Sequence, residues 1–460
     1  MISRTGLWLS RIFRNLIPDP FVIAIVLTVV VAAAALLWGQ FKPGEDRWLE
    51  LLDAWSDSKT GLWKLLGFAM QMSLILLTGA VLAASRPVRW MISQVAGFPK
   101  STATAAAMVG VIAASVGLLN WGLGLIVGAL LAREVGMRLK EQGIRAHYPL
   151  IAAAGYMGML TWHGGLSGSA PLSMTTTSGA EKVLPAEYVA EIGTIPLEAT
   201  IFSPLNLIVS LGLLILIPAF LALLAPAQAG DMKPIDAFHP LEEKPFQSPS
   251  ESGVPRILNT SWVVAWLLGI ALLLAVGRYI AVRGIGSLGL DQVIMIMLAL
   301  GLLLHASPAA YMHAATDAAR GCAGIIVQFP LYAGIMAMMA AAGLVTMIAS
   351  GFVAAGNTET MPLLSLLAAG IVNIFVPSGG GQWAIQGPIA LQSGLDAGVT
   401  PGKMVMAVAY GDELTNMLQP FWALPLLAIT GVRARDIVGY TAMVMLVAGA
   451  WMALWLLVWN

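Results

Sequence analysis

Charged residues and cysteines are scarce in this chain. Only 10% of its 460 residues are Asp, Glu, Lys or Arg, whereas soluble globular domains contain about 25%. Lys and Arg number 24, as do Asp and Glu, and this balance gives no sign of a nucleic-acid partner. The single cysteine, Cys322, excludes an internal disulfide and a cysteine-based metal site. With 58% hydrophobic residues and a mean hydropathy of +0.83, the composition predicts an all-α polytopic membrane protein.

A cleavable signal peptide is not predicted. Arg4, Arg11 and Arg14 precede the apolar run 21–38, but no small-residue cleavage site follows it. The run covers 18 residues, close to the roughly 20 that a membrane-spanning helix needs. It is therefore predicted to be a retained first helix in the lipid bilayer.

The positions of lysine and arginine in the loops predict the orientation of the spans. The basic N-terminus and the basic loops around Arg86 and Arg138 are expected in the cytoplasm, and the acidic loop 39–60 is expected outside. Both ends of segment 101–132 then face the cytoplasm, which predicts a re-entrant hairpin entering from that side. The same reasoning makes segment 361–392 a hairpin that enters from outside.

This arrangement divides the chain into two halves of opposite orientation. Residues 1–224 are predicted to form a first repeat, residues 225–256 a cytoplasmic linker with repeated prolines and mixed charge, and residues 257–284 a connecting helix. Residues 285–460 form the second, inverted repeat. A short echo at constant offset supports the repeat: Tyr156, Leu160 and Thr161 match Tyr410, Leu414 and Thr415.

Four polar, mostly glycine-rich interruptions break the apolar segments, two at the hairpin midpoints and two in the spans that follow them. Hydrocarbon tolerates interrupted helix only where protein or a water-filled cavity satisfies the freed N–H and C=O groups. Paired interruptions in the two halves therefore predict a transport site. The residues predicted to bind the substrate are Asn120, Trp121, Gly122, Gly124, Thr161, Trp162, Ser378, Gly379, Gly380, Gly381, Gln382, Trp383, Thr415 and Asn416.

Three ionisable side chains, His163, Asp412 and Glu413, fall within these interruptions. An ionisable residue at membrane depth costs at least about 2.5 kcal/mol on insertion scales, so these three are candidates for coupling transport to an ion gradient. No lysine or arginine lies in any interruption. Helix dipoles and hydroxyl groups would then hold the ligand, which predicts a monovalent carboxylate rather than a citrate-like polyanion. The neighbouring tryptophans suit a short apolar tail, and no metal or cofactor is predicted.

Two other classes of function are less well supported by the sequence. A passive anion channel, or a carrier for another small organic anion, would use similar dipoles, but a channel would not need two closed hairpins and buried acids. An intramembrane enzyme would require Ser167, His163 and Asp412 to act as a triad. Because Ser167 lies only four residues after His163 in a glycine-rich loop and Asp412 belongs to the other repeat, no enzymatic activity is predicted.

The interruptions carry motifs that resemble the bacterial short-chain fatty acid transporter family, whose members are associated with acetoacetate and butyrate uptake. The matching stretches are 16–20 (LIPDP), 120–129 (NWGLGLIVGA), 160–162 (LTW), 377–388 (PSGGGQWAIQGP) and 419–425 (QPFWALP). The resemblance spans nearly the whole chain. It implies a secondary transporter of the ion transporter superfamily in the bacterial inner membrane, with inverted repeats, two re-entrant hairpins, an elevator-like cycle and commonly a homodimer.

Two departures from the family pattern concern ion coupling. His163 stands where a glycine can stand, and Asp412 and Glu413 stand where one acid and one amide can stand. Asp412 is therefore the preferred coupling acid. The Ser-Asn-Thr type sodium motif of the superfamily's dicarboxylate branch is absent from both hairpin midpoints, so the resemblance leaves both proton and sodium open as the coupling ion.

Overall fold

A computed structural model describes residues 2–41, 44, 46–181, 189, 192–240, 246, 252–284 and 288–459, without the side chains of residues 2, 9, 10 and 14. Parts of the predicted linker and the first residues of the predicted second repeat lie outside this set. The described residues form helices and no strands. Seven of their helical stretches are long and apolar enough to cross a membrane: Pro20–Trp38, Leu66–Ala84, Thr102–Leu119, Pro204–Leu223, Trp262–Arg283, Pro308–Ala341 and Ala434–Val458. The predicted all-α multi-pass membrane class is thereby confirmed.

The first half of the chain contains eleven described α-helices. They are α1 (Ile2–Leu16), α2 (Pro20–Trp38), α3 (Arg47–Ser56), α4 (Leu66–Ala84), α5 (Arg86–Ala96), α6 (Thr102–Leu119), α7 (Trp121–Glu141), α8 (Tyr148–Gly155), α9 (Ser169–Ser173), α10 (Thr177–Ala180) and α11 (Pro204–Leu223). Two short 3₁₀ helices, Met157–Leu160 and Trp162–Gly164, lie between α8 and α9. The span after α7 is therefore broken.

The second half contains another eleven described α-helices. They are α12 (Val254–Thr260), α13 (Trp262–Arg283), α14 (Leu290–His305), α15 (Pro308–Ala319), α16 (Ala323–Ala341), α17 (Leu344–Val353), α18 (Met361–Phe375), α19 (Gly379–Asp396), α20 (Pro401–Thr415), α21 (Pro420–Thr430) and α22 (Ala434–Val458). Here the break separates α20 from α21, where Pro420 has no N–H to offer a continuing helix.

The helices α6 and α7 form an antiparallel hairpin, here named hairpin 1, whose tip is Asn120. Glycine allows its arms to approach closely, because a Cβ at Gly124 would stand 2.6 Å from the Gly117 Cα. At the base, Lys100 Nζ donates to Gln142 Oε1 over 3.1 Å. The second arm continues past predicted residue 132 to Glu141, since the helix outlasts the apolar run and ends in a charged turn.

The helices α18 and α19 form a second antiparallel hairpin, hairpin 2, whose tip is residues 376–378. Gln382 Nε2 on one arm donates to the Ala369 carbonyl on the other over 2.9 Å. At the base, Thr358 Oγ1 donates to the Ala397 carbonyl over 2.6 Å. Both ends of each hairpin therefore lie side by side.

The same order of elements occurs in both halves. The series α2, α3, α4, α5, hairpin 1, broken span, α11 corresponds to α14, α15, α16, α17, hairpin 2, broken span, α22, and α13 stands between them. The packing crosses over, since α2 and α3 contact α16 while α14 and α15 contact α4. This exchange of contacts agrees with two repeats, and their inverted relation stays a prediction. The orientation of each half relative to a membrane, and the domain bounds, stay predictions.

Three helices of ten or more residues are not predicted from the sequence. The helix α1 packs along α22, α5 packs on α7, and α17 packs on both arms of hairpin 2. The last two precede the hairpins at corresponding places. The apolar runs of all three helices are too short to be recognised as membrane spans. The basic residues of α1 predict only the side of the membrane on which it lies.

The described part of the predicted linker lies across the base of hairpin 1. Asp236 forms an ion pair with Lys140, and the Lys233 carbonyl accepts the Tyr148 N–H over 2.9 Å. Asp231 pairs with Arg11 over 3.1 Å. The basic groups expected in the cytoplasm thus meet at one end of the molecule.

We expect Gly128→Ala to lower stability. A Cβ at this position would stand 2.0 Å from the Gly155 carbonyl oxygen, a backbone atom that cannot turn aside, and overpacking of this kind costs about 1–3 kcal/mol. Gly277→Ala in α13 is the control, because no atom lies within 4 Å of the position that its added methyl group would take and alanine favours helix. The midpoint of thermal unfolding in detergent should fall only for Gly128→Ala, and equal midpoints would contradict the close packing of α7 on α8.

Candidate functional site

The first broken span, break 1 (residues 156–168), is held by a carboxylate from the other half of the chain. Glu413 Oε2 accepts the His163 N–H over 2.8 Å and the Gly164 N–H over 3.4 Å. The Gly164 carbonyl accepts from Asn206 Nδ2 over 2.8 Å. Tyr410, also from the second half, donates its hydroxyl to Asn206 Oδ1 over 3.0 Å. The groups freed by the break are therefore satisfied within protein.

The second broken span, break 2 (residues 416–419), is held by a hydroxyl from the first half. Tyr156 donates to the carbonyls of Asn416 and Gln419 over 3.0 and 3.3 Å. Asn373 in hairpin 2 donates to the Asp412 carbonyl over 2.7 Å and to Asn416 Oδ1 over 2.9 Å. Each break thus receives a side chain from the opposite half.

Two predicted binding threonines occupy matching places beside the breaks. Thr161 Oγ1 donates to the Ala114 carbonyl over 2.8 Å, and Thr415 Oγ1 donates to the Gly370 carbonyl over 2.9 Å. Both acceptors lie in the first arm of the hairpin in the same half. In this geometry each threonine hydroxyl donates a hydrogen bond that attaches its break to the hairpin. The role of these threonines in substrate binding stays a prediction.

Both hairpin tips cap the helix that follows them. Asn120 Oδ1 accepts the Leu123 N–H over 3.1 Å, and Ser378 Oγ accepts the Gly381 N–H over 3.3 Å. Side-chain caps of this type satisfy one of the free N–H groups at a helix start. The two predicted residues therefore position the tips, and direct contact with substrate stays a prediction.

The two tips differ in how open they are. At the first, the Trp121 N–H donates to Ser167 Oγ over 3.0 Å, and a Cβ at Gly122 would stand 2.5 Å from Ile75 Cδ1. At the second, Gly380 is exposed. Within the described residues, no hydrogen-bond partner occupies the N–H groups of Gly379 and Gly380, the first two residues of α19.

The tips converge on two residues of break 1, Trp162 and His163. A Cβ at Gly379 would stand 2.7 Å from Trp162 Cη2, 3.0 Å from His163 Cε1 and 3.1 Å from Asp412 Oδ2. From the other side, the rings of Trp121 and Trp162 lie 6.3 Å apart. Gly379 of the second tip thus contacts Trp162 and His163, and Trp121 of the first tip contacts Trp162, with Asp412 beside Gly379 and His163.

Aromatic rings extend from this point toward the other helices. The rings of Trp121 and Trp422 lie 5.1 Å apart, and Phe68 of α4 lies 5.9 Å from Trp422. Phe329 of α16 stacks on Phe68 at 5.7 Å. These rings and Trp162 form a largely buried apolar cluster, here named the aromatic wall. Trp383, the remaining predicted tryptophan, lies elsewhere: it packs in a separate core cluster with Met174, Ala369 and Met404.

The ionisable residues are packed at the same point. His163 Nδ1 lies 2.5 Å from Asp412 Oδ2, with both side chains at most 2% exposed. His163 Nε2 accepts the Ala170 N–H over 3.1 Å. A backbone N–H is always a donor, so Nε2 carries a lone pair, and the ring hydrogen is on Nδ1, the nitrogen beside Asp412.

The other predicted residues brace the surrounding helices. Gln382 Nε2 also donates to Gln386 Oε1 over 2.9 Å, and Asn416 Nδ2 donates to the Met159 carbonyl over 3.4 Å. Gly124 and Gly381 lie at close approaches. In the part of the chain that the structure describes, no group of three or more His, Cys, Asp or Glu side chains could hold a metal ion.

Several contributing residues are not found by reasoning from the sequence. Asn206 and Asn373 are fully buried amides in apolar helices, and an isolated amide at membrane depth is a usable signal because it needs a partner. Phe68 and Phe329 carry no signal, since phenylalanine is common in any span.

Interrupted helices facing each other inside a bundle of apolar spans define a multi-pass membrane transport protein. The profile of the family described as Short chain fatty acid transporter matches residues 1–459. The chain belongs to this family, and it is a transport protein rather than an enzyme.

Two relatives match along nearly their whole length. A protein of Escherichia coli K12, provisionally named a short-chain fatty acid transporter, is 37% identical over 451 residues, covering 98% of both chains. A relative from Haemophilus influenzae with the same provisional name is 36% identical over 444 residues, covering 96% of both.

Two solved structures are also similar. The Alcanivorax borkumensis YdaH transporter aligns with a TM-score of 0.43 at 16% identity, covering 96% of this chain and 97% of its own. Neisseria gonorrhoeae MtrF aligns with a TM-score of 0.38 at 16% identity, covering 99% and 96%.

We expect Tyr156→Phe to destabilise the protein, because it removes a buried hydroxyl donor from the carbonyls of Asn416 and Gln419, and the Asn416 carbonyl then keeps the Gln419 N–H. Loss of a buried hydrogen bond costs about 0.5–1.5 kcal/mol. Tyr332→Phe is the matched control, since the buried Tyr332 hydroxyl has no hydrogen-bond partner among the described residues. Thermal unfolding in detergent should show a lower midpoint for Tyr156→Phe alone. A larger loss in Tyr332→Phe would contradict the bracing role of Tyr156.

Proposed function

We propose that this protein is a secondary transporter that moves short-chain monocarboxylates, such as butyrate or acetoacetate, across the bacterial inner membrane by ion-coupled uptake. The observation that carries the proposal is the pair of unpartnered N–H groups at Gly379 and Gly380, next to the aromatic wall. The family membership and the provisional names of its relatives support the substrate class.

The chemistry at the second tip favours one carboxylate group. The first N–H groups of α19 and the positive end of its dipole suit an anion. No lysine or arginine is among the buried side chains of the described residues, so a second carboxylate on the same ligand would lack a partner. The substrate tail would then lie against Trp162 and Trp121, where a short chain is favoured over a polar group.

The proposed transport cycle moves the hairpins and broken spans against the other helices. Crossed packing of α2, α3 and α16 with α14, α15 and α4 supports a scaffold made from both halves. The hairpins would be re-entrant, with both ends of each on one side of the membrane. The family resemblance suggests that the scaffold also forms a homodimer.

Uptake and competition in proteoliposomes test the substrate class. Vesicles preloaded with butyrate should show a transient overshoot of labelled butyrate, which a pore does not give, and protein-free vesicles correct for passive permeation of the acid. Butyrate and acetoacetate should compete with the labelled substrate, whereas succinate and citrate should not. Strong inhibition by citrate with none by butyrate would overturn the proposal.

Substitutions at the tips extend the same experiment. Asn120→Ala and Ser378→Ala should each weaken substrate competition several-fold, because the caps set the direction of the tip N–H groups. Ser307→Ala is the matched control: Ser307 caps α15 by accepting the Ala310 N–H over 3.3 Å, and any cap loss costs about 1 kcal/mol of stability. Equal transport in all three variants would exclude the tips from the site.

Single cysteines can test the re-entrant hairpins, since Cys322 is the only native cysteine. On a Cys322→Ala background, Lys100→Cys and Gln142→Cys should both react with an impermeant thiol reagent only from the cytoplasmic side. Thr358→Cys and Asp396→Cys should both react from outside. All four native side chains are exposed, so the thiol reagent can reach each position from the side it faces. If the two ends of one hairpin reacted from opposite sides, that hairpin would be a spanning pair.

A further inference from the structure

We propose that the His163–Asp412 pair is the proton site of this transporter, and that a proton on Asp412 accompanies the substrate carboxylate. The inference rests on the proposed function, because it assigns the coupling ion of the same site. It also gives Asp412 and its neighbour Glu413 different roles on the basis of their contacts, where the family resemblance only favoured Asp412.

The two adjacent acids have different partners. Glu413 Oε2 accepts two backbone N–H groups of break 1, so its carboxylate is an integral part of the fold. Asp412 Oδ2 meets only the His163 ring at 2.5 Å, and within the described residues no hydrogen bond of regular geometry occupies it. Consecutive helical residues point about 100° apart. Glu413 is therefore a structural cap, and Asp412 faces the tips.

The ring of His163 determines where an added proton goes. Its Nε2 accepts the Ala170 N–H, so the ring hydrogen is on Nδ1, the nitrogen that lies 2.5 Å from Asp412 Oδ2. Protonating the ring further would place a hydrogen on Nε2 and break the Ala170 bond. The Asp412 carboxylate has free lone pairs, so it takes the proton and becomes a neutral acid. His163 acts as a positioning residue that holds this carboxyl group.

Contact with the second tip connects the proton to the substrate. A Cβ at Gly379 would stand 3.1 Å from Asp412 Oδ2, so the N–H groups proposed to hold the substrate lie next to this carboxyl. A charged Asp412 would repel the incoming carboxylate, and a neutral Asp412 would not. The site then carries the same charge when it is empty and when it holds both a proton and an anion.

Other charged groups around the pair are few. On α20 the titratable neighbours are Glu413 and Tyr410, and Tyr410 is bonded to Asn206. Break 1 contributes the titratable ring of His163. The other described contacts of the pair are uncharged: Ala170 of α9, Gly379 of α19 and Asn373 of α18. The buried described residues include no lysine or arginine to neutralise Asp412 in place of a proton.

Calorimetry of butyrate binding to the detergent-purified wild-type protein tests the linkage. Heats measured in two buffers of different ionisation enthalpy should show one proton taken up per butyrate bound. Affinity should rise as pH falls, by up to about tenfold per pH unit, the limit for one linked proton. Sodium-dependent binding without proton uptake would overturn the assignment.

Asp412→Asn should abolish proton uptake and make the affinity independent of pH. Asp436→Asn is the matched control, because Asp436 is another buried acid, 1% exposed, and its carboxylate accepts the Arg433 N–H at the start of α22. It should retain one proton per butyrate. If Asp412→Asn still took up one proton, the substrate would be bound as the neutral acid, and if only Glu413→Gln lost the uptake, the wrong acid would have been assigned.

The protonation state of the His163 ring can be measured directly, and it distinguishes a role in proton binding from a purely structural role. Ring ¹⁵N NMR, with His163→Gln identifying the signal, should show a neutral Nδ1–H ring both with and without butyrate. An imidazolium in the butyrate complex would place the proton on His163 and overturn its assignment to Asp412. Absence of any butyrate or acetoacetate binding by the wild type would instead refute the proposed function, whereas binding without proton uptake refutes this inference alone.

Discussion

Every other feature of the site depends on how the backbone groups freed by the two breaks are satisfied. In hydrocarbon each unpaired N–H or C=O costs several kcal/mol, and no water is at hand to replace a lost partner. The chain meets this constraint by exchange between its halves. Glu413 accepts the N–H groups of His163 and Gly164 in a 3₁₀ turn of break 1, and Tyr156 donates to the carbonyls of Asn416, the C-cap of α20, and Gln419, which precedes α21. At Asn416 a donor meets the negative end of a helix, so this contact agrees with the helix dipole.

This exchange also explains why the two tips meet at one place. Because each break is braced from the other half, the two broken spans cannot separate without exposing groups that only the opposite half satisfies. Break 1 therefore brings Trp162 and His163 to the position where Gly379 and Trp121 approach from opposite sides. The same geometry gives two neighbouring acids different surroundings: Glu413 is bound to backbone, and Asp412 is turned toward a tip.

Local features of this fold are predictable from the sequence, and the long-range ones are not. Glycine, proline and isolated polar residues interrupt apolar runs at fixed positions, so the two hairpins and both broken spans can be located from the sequence alone. The residue pairs that brace the breaks cannot be predicted in this way. His163 and Glu413 are 250 residues apart, and no local sequence pattern indicates which acid will contact which break. Trp383 shows the limit clearly, since it lies beside a tip in the sequence yet its ring packs into a separate core.

The proposed substrate carries one carboxylate, whereas a fold with two similar halves could offer two anion sites. Both tips are built alike, with a polar cap followed by glycines, and a strictly symmetric structure would offer two helix N-termini to a ligand. The first tip is closed by Ser167 and Ile75, whereas Gly380 at the second is open. One available N-terminus matches one carboxylate, which favours a monovalent substrate over a dicarboxylate that would need both. In this family member the asymmetry of the two tips, rather than any fixed cation, is what would select the charge of the substrate.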